Sequence, residues 1–242
     1  MIKLTVIGEC SGAPLASHAT SCYLVEGEST SLILDMGSAS LSLMKTIRNF
    51  DDIGHVVISH FHPDHSADCA VAVYDRLIAM QCGRDVKPLV FHALEDRDLS
   101  LPPYSGFVKI DENSREEIGE FSVSYMKSEH PVDCLAVKVQ DRDGHTLVYT
   151  ADGALTGRLV SFSSGADILI AECSFYPDMG NGGAGHMNAN DVCTLAVKAE
   201  PDCLVLSHLP VYGDRGIILD YVRKRYERGE VLLASPYLEV SI

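Results

Sequence analysis

The chain has 242 residues, 46% of them hydrophobic, enough to bury a sizeable core in one large domain or two small ones. Its 34 acidic against 19 basic residues give a formal net charge of −15, which repels phosphate backbones and disfavours a nucleic-acid partner. No apolar run reaches the length of a membrane span. The eight cysteines are scattered without a C-x-x-C pair, mostly in apolar stretches such as Asp68-Cys69-Ala70-Val71, which predicts reduced, buried thiols in a cytoplasmic protein and not a disulfide framework.

In chain order, residues 2–7 read as a first strand and not as a secretory leader, followed by the glycine-rich loop Gly8-Glu9-Cys10-Ser11-Gly12-Ala13-Pro14. Strands at 21–27 and 31–35 form a hairpin through Glu26-Gly27-Glu28-Ser29, and a short helix covers 39–49. From Asp64 to Met80 the apolar residues Ala67, Ala70, Val71, Tyr74, Leu77 and Ile78 recur at helical spacing. Residues 87–92 return as a strand, and 93–118 read as a polar loop with one short strand near 107–110. Strands at 120–126, 133–140 and 146–150, a helix at 155–163 and a strand at 167–171 follow. Helices at 188–198 and 215–227 and strands near 203–206, 231–233 and 237–241 complete the chain. Ser31-Leu32-Ile33-Leu34-Asp35 and Thr146-Leu147-Val148-Tyr149-Thr150 each precede a short helix and a buried strand, so the second half echoes the first. No linker or low-complexity segment interrupts it, and a single domain over 1–242 is expected.

The chemistry is concentrated in Val56-Val57-Ile58-Ser59-His60-Phe61-His62-Pro63-Asp64-His65. Three apolar β-branched residues suit a buried strand. Pro63 suits the first position of a helix, and Asp64 its first turn, where negative charge is favoured. His60, His62, Asp64 and His65 therefore converge at the carboxyl end of a strand. Imidazoles and a carboxylate crowded into one loop are zinc-type ligands. Further donors recur at strand ends: His130 in Ser128-Glu129-His130-Pro131, Asp152 after Leu147-Val148-Tyr149-Thr150, and His208 after Leu204-Val205-Leu206-Ser207.

The H-x-H-x-D-H stretch resembles the signature of the metallo-β-lactamase superfamily, a large group of metal-dependent hydrolases, and the later donors match its remaining motifs in order. The resemblance implies an α/β fold, a four-layer αβ/βα sandwich of two similar halves. It implies two zinc ions, with manganese or iron also accepted by such donors. His60, His62 and His130 would hold one metal, Asp64, His65 and His208 the other, and Asp152 would bridge both. Two metals about 3.5–4 Å apart can share a hydroxide that is potent at neutral pH. An imidazole at 62, where diiron redox members carry glutamate, and an aspartate at 152, where many true β-lactamases carry cysteine, argue against both of those activities.

Two further stretches resemble the ribonuclease Z branch. Ile170-Ala171-Glu172-Cys173-Ser174-Phe175 resembles its H-E-A-T-F motif, and Gly185-His186-Met187-Asn188-Ala189 its later histidine motif. The match makes His186 the proton donor to the leaving group and Glu172 an orienting acid. Together with Asp64, these are the residues expected to serve catalysis. Asp35 matches a supporting aspartate. His186 follows Gly182-Gly183-Ala184-Gly185, a flexible approach, and Asn188 is placed to cap the next helix. Only 21 residues lie between His130 and Asp152, too few for the long tRNA-gripping arm of that branch. The expected activity is hydrolysis of a phosphodiester in a small molecule. Hydrolysis of an ester, lactone or sulfate, RNA processing, and metal binding without turnover are the alternatives. A homodimer is expected from the family. His18, His55, His92 and His145 lack matching motifs and are expected to be structural or solvated.

Overall fold

The computed structural model describes residues 1–180 and 185–242. The chain divides into two compact units, one of Lys3–Asp111 with Ser235–Ser241, the other of Met1–Ile2, Glu112–Ala234 and Ile242.

The first unit contains β1 (Lys3–Cys10), β2 (Ala19–Thr20), β3 (Cys22–Glu26), β4 (Ser31–Leu34), α1 (Ser40–Ile47), β5 (His55–Val57), α2 (Pro63–Ser66), α3 (Cys69–Gln81), β6 (Leu89–Ala93) and β7 (Ser105–Lys109). Strands β1, β3 and β4 run as an antiparallel meander, and β4 to β7 then pair parallel in sequence order. Parallel pairing requires crossovers, and α1 and the α2–α3 segment supply two of them. Ile7, Leu24, Ile33, Val56 and Phe91 from the sheet form one core with Leu41, Met44, Ala72 and Val73 from the helices.

The helix expected from Asp64 to Met80 is broken into α2 and α3, and its orientation differs from the apolar pattern. Val71, Tyr74 and Ile78 are 55, 63 and 56% exposed, whereas Cys69, Ala72, Val73 and Arg76 face inward. Arg76 is wholly buried because its guanidinium donates to the carbonyls of Phe50, Asp51 and Ile53 at 2.9–3.0 Å and lies over the Phe50 ring. Those carbonyls belong to a 3₁₀ turn at Phe50–Asp52 and the residue after it. Burial lowers the pKa of Arg76 from its ordinary value, against the pull of Asp51 and Asp75.

The second unit contains β8 (Arg115–Ile118), β9 (Phe121–Lys127), β10 (Leu135–Gln140), β11 (Thr146–Tyr149), α4 (Gly157–Ser163), β12 (Ile168–Glu172), α5 (Ala189–Ala199), β13 (Cys203–Ser207), α6 (Gly216–Arg223) and β14 (Glu230–Leu233). It repeats the plan of the first: an antiparallel run β8–β9–β10–β11 followed by parallel β11, β12, β13 and β14. The doubling read from the sequence is therefore a doubling of topology. The last strand, β15 (Glu239–Ser241), returns to pair antiparallel with β1. The polar stretch 93–118 holds two strands rather than one, because β8 alternates its exposure against β9 and lacks a continuous apolar signal.

All eight cysteines are free thiols and seven are buried. Burial pushes the thiols of Cys69 and Cys173 well above the usual range and that of Cys203 up to about 11. Among the described residues, no helix is long and apolar enough to cross a membrane.

Candidate metal and catalytic site

In the first unit the parallel strands β4 and β5 end side by side, and the donors leave from their carboxyl ends. Asp35, directly after β4, has φ 59°, a left-handed conformation that a non-glycine residue adopts only under constraint. The constraint is a buried network. Its Oδ1 accepts from the Ser59 N–H at 2.7 Å, and its Oδ2 accepts from the Ser59 hydroxyl and from His65 Nδ1, each at 2.7 Å. A carboxylate only accepts, so His65 donates through Nδ1 and presents Nε2 as its lone pair. Having given its proton to Asp35, the Ser59 hydroxyl accepts from His60 Nδ1 at 3.1 Å. His60 Nε2 then lies 3.0 Å from His62 Nδ1, so two imidazole nitrogens converge.

Pro63 opens α2 as the sequence requires, placing Asp64 in its first turn. Asp64 Oδ2 accepts from the Gly12 N–H at 2.7 Å. Gly37 makes this approach possible: a Cβ there would lie 2.1 Å from the Asp64 carbonyl oxygen and 2.2 Å from Thr20 Oγ1.

The second unit arranges its donors around Asp152. His130 gives Nδ1 to the Gly185 carbonyl at 3.0 Å and turns Nε2 toward Asp152 Oδ2, 4.0 Å away. His208, at φ 49°, pairs Nδ1 with Ser174 Oγ at 2.9 Å and turns Nε2 toward Asp152 Oδ1, 3.4 Å away. The two carboxylate oxygens thus face two different imidazoles. Gly185 carries two demands, a φ of +67° and a Cβ position 3.0 Å from His130 Cα.

Glu172, at the end of β12, organises the rest. Its Oε1 accepts from the Gly153 N–H and from His186 Nδ1, both at 3.0 Å, and its Oε2 accepts from the Ser174 hydroxyl at 2.7 Å. The His186 ring stacks on that of His208 with centroids 5.5 Å apart, and its Nδ1 is 3.9 Å from Asp152 Oδ2. Asn188 caps α5 in a reciprocal box with Asp191, as its position suggests. The expected glycine approach at 182–184 lies outside the described residues.

Within each unit the predicted donors come together: His60, His62, Asp64 and His65 in the first, His130, Asp152 and His208 in the second. The donor chemistry fits divalent metal. His60, His65, His130 and His208 each spend Nδ1 on an oxygen partner, the outer hydrogen bond that fixes a ligating imidazole. Sequence reasoning missed Ser59, Ser174 and the Gly153 and Gly12 amides. Each lies within two residues of a chemical residue or in a glycine loop, but serine and glycine are too common to stand out. Of the histidines set aside, His55 and His92 pair with each other at 3.1 Å, His145 with Asp141 and His18 with Glu9.

The family model described as "Beta-lactamase superfamily domain" matches residues 35–209. A relative from Bacillus subtilis (strain 168), "Probable metallo-hydrolase YhfI", is 34% identical and is matched over 97% of both chains. The crystal structure of the metallo-beta-lactamase fold protein YhfI superposes with a TM-score of 0.93 at 32% identity, covering 99% of this chain and 98% of that one. The short form of human tRNase Z superposes with a TM-score of 0.75 at 17% identity, covering 99% of each chain.

Proposed function

Because the chain belongs to the beta-lactamase superfamily, whose members include metal-dependent hydrolases, and has its metallo-β-lactamase fold, we propose that it is a two-zinc phosphodiesterase acting on a small molecule. In this reading His60, His62 and His130 hold one metal, Asp64, His65 and His208 the other, and Asp152 both. When bound, such a pair supplies Lewis acidity and an activated water at neutral pH. The chain's own residues do the rest. Asp35, Ser59, Ser174 and the Gly185 carbonyl hold the imidazoles in their ligating tautomers. His186 gives a proton to the departing oxygen, and Glu172 orients its ring and stabilises its charged form.

The observation that carries this reading is the His186–Glu172 pair beside Asp152. A protein that only stores or senses metal has no use for an oriented proton donor there. A phosphodiester leaving group needs one. The net charge of −15 and the short interval between His130 and Asp152 favour a small substrate over tRNA. The eight free thiols suit a reducing cytoplasm.

The test is steady-state turnover of a phosphodiester, ester, lactone and sulfate panel by protein of measured metal content. Preference for bis(p-nitrophenyl) phosphate and two metals per chain support the proposal. Preference for another class would replace the substrate, one metal per active chain would overturn the paired mechanism, and efficient cleavage of a precursor tRNA at physiological salt would restore RNA processing.

A further inference from the structure

We propose that Glu9, Cys10 and His18 form an additional binding site for a thiophilic divalent cation, separate in its residues from the seven ligands above. The three donor atoms lie within 4.8 Å of one another. His18 Nδ1 is 2.6 Å from Glu9 Oε1, and Cys10 Sγ is 3.8 Å from the same oxygen.

In a regular strand the neighbours Glu9 and Cys10 would point to opposite faces. They do not here, because β1 slips register against β2 between Gly8 and Cys10, Gly8 pairing with Ala19 and Cys10 with Thr20. The extra residue is Glu9, and a bulge of this kind re-aims side chains. Gly8 permits it, since a Cβ there would lie 1.9 Å from the Thr20 carbonyl oxygen. On the other side of the loop Ser17 adopts φ 63° and delivers His18.

The cluster differs from an ordinary surface ion pair in its burial. The Glu9 carboxylate and Cys10 are wholly buried, whereas the His18 side chain is 34% exposed. Tetrahedral zinc, with Zn–S about 2.3 Å and Zn–N or Zn–O about 2.0 Å, sets its donors about 3.3–3.6 Å apart. The Sγ–Oε1 pair is already near that spacing. The Nδ1–Oε1 pair must open by under about 1 Å, and the partly exposed His18 is the member able to move. On binding, Cys10 loses its thiol proton to solvent, and the neutral His18 ring exchanges its single proton through solvent from Nδ1 to Nε2, which frees the Nδ1 lone pair for the cation. The carboxylate and thiolate charges then balance a divalent cation, and a fourth position remains for water, the pattern of a three-ligand site. A cation there would tie together both ends of the loop whose Gly12 amide holds Asp64.

The thiolate makes the site separately visible, because the seven other ligands are nitrogen and oxygen. The full chain is titrated with Cd²⁺ in a Cys82→Ser background, which removes the exposed thiol, and thiolate-to-cadmium charge-transfer absorption is followed in the ultraviolet. The expected result is a band saturating at one thiolate-bound cadmium per chain, lost in Cys10→Ser. His18→Ala, or His18→Gln where the alanine variant does not fold, should weaken the binding by about tenfold or more. No band, a band that survives Cys10→Ser in a folded protein, or unchanged affinity in His18→Ala would overturn the proposal and leave an ion pair beside a thiol.

Discussion

Nδ1 of His186 lies 3.0 Å from Glu172 Oε1, while the other oxygen of that carboxylate accepts from Ser174, which in turn holds His208. One buried carboxylate therefore orients both the proposed proton donor and a proposed metal ligand. His186→Ala should retain metal and fold but slow substrates with alkoxide leaving groups by about 10²–10⁴-fold. Esters of p-nitrophenol, whose leaving group departs without a proton, should be nearly unaffected. Glu172→Gln should show the same split in milder form, together with weakened metal retention, because Ser174 and His208 lose their carboxylate anchor. Paired measurement of metal content and both rates checks this; equal loss on both substrates with a metal missing would make His186 a ligand.

Asp35 supports His65 and Ser59 without reaching outward itself. Asp35→Asn keeps the shape but replaces an acceptor oxygen with a donor, so His65 loses its fixed orientation. Metal affinity measured by chelator competition should fall about 10–100-fold. Unchanged affinity would show that His65 is oriented by other contacts.

At Gly37 the added methyl of alanine meets backbone from the ligand-bearing helix, which cannot rotate away. Gly37→Ala should cost about 1–3 kcal/mol in urea unfolding and should weaken metal retention in parallel. Gly54, where a Cβ meets nothing within 4 Å, serves as the control and should tolerate alanine.

Replacing Arg76 by methionine keeps much of the apolar stem but leaves three carbonyls without their guanidinium. Stability should fall by about 2–5 kcal/mol in denaturant melts. The loss should appear in the unfolding midpoint at every pH where the guanidinium is charged.

Asp141 gives a pH-dependent prediction. Burial works to raise its pKa, but hydrogen bonds from the Met1 ammonium at 2.6 Å and from His145 at 2.9 Å outweigh it, and the pKa is held below the usual carboxylate range. A depressed folded-state pKa contributes stability that is present above the unfolded value near pH 3.8 and is lost as pH falls from there toward the folded value. Wild type should therefore exceed Asp141→Asn in stability at pH 5–6, with the gap closing below about pH 4. A gap independent of pH would remove the charge from the explanation.

The donor residues were legible from the chain alone because histidine is uncommon and its spacing in H-x-H-x-D-H is compact. The strand-end positions of Asp152 and His208 followed from the apolar runs before them, since a buried strand delivers the residues after it to the sheet's edge, and that of His130 from Pro131 and the strand that follows it. Doubling of the topology was visible for the same reason. What the chain alone did not determine was orientation. Along α3 apolar residues occur on nearly every side, so periodicity chose Val71, Tyr74 and Ile78, whereas the fold turned Arg76 inward to meet three carbonyls that only tertiary structure brings to it. Ser59 and Ser174 carry no sequence signal, yet each relays a carboxylate's charge to an imidazole. Left-handed Asp35 and His208 are equally silent, because a non-glycine residue is held there by its partners rather than by its own preference. The tertiary structure likewise decided that Glu9 and Cys10 share a side, since a one-residue slip against β2 is a property of pairing and not of either strand alone.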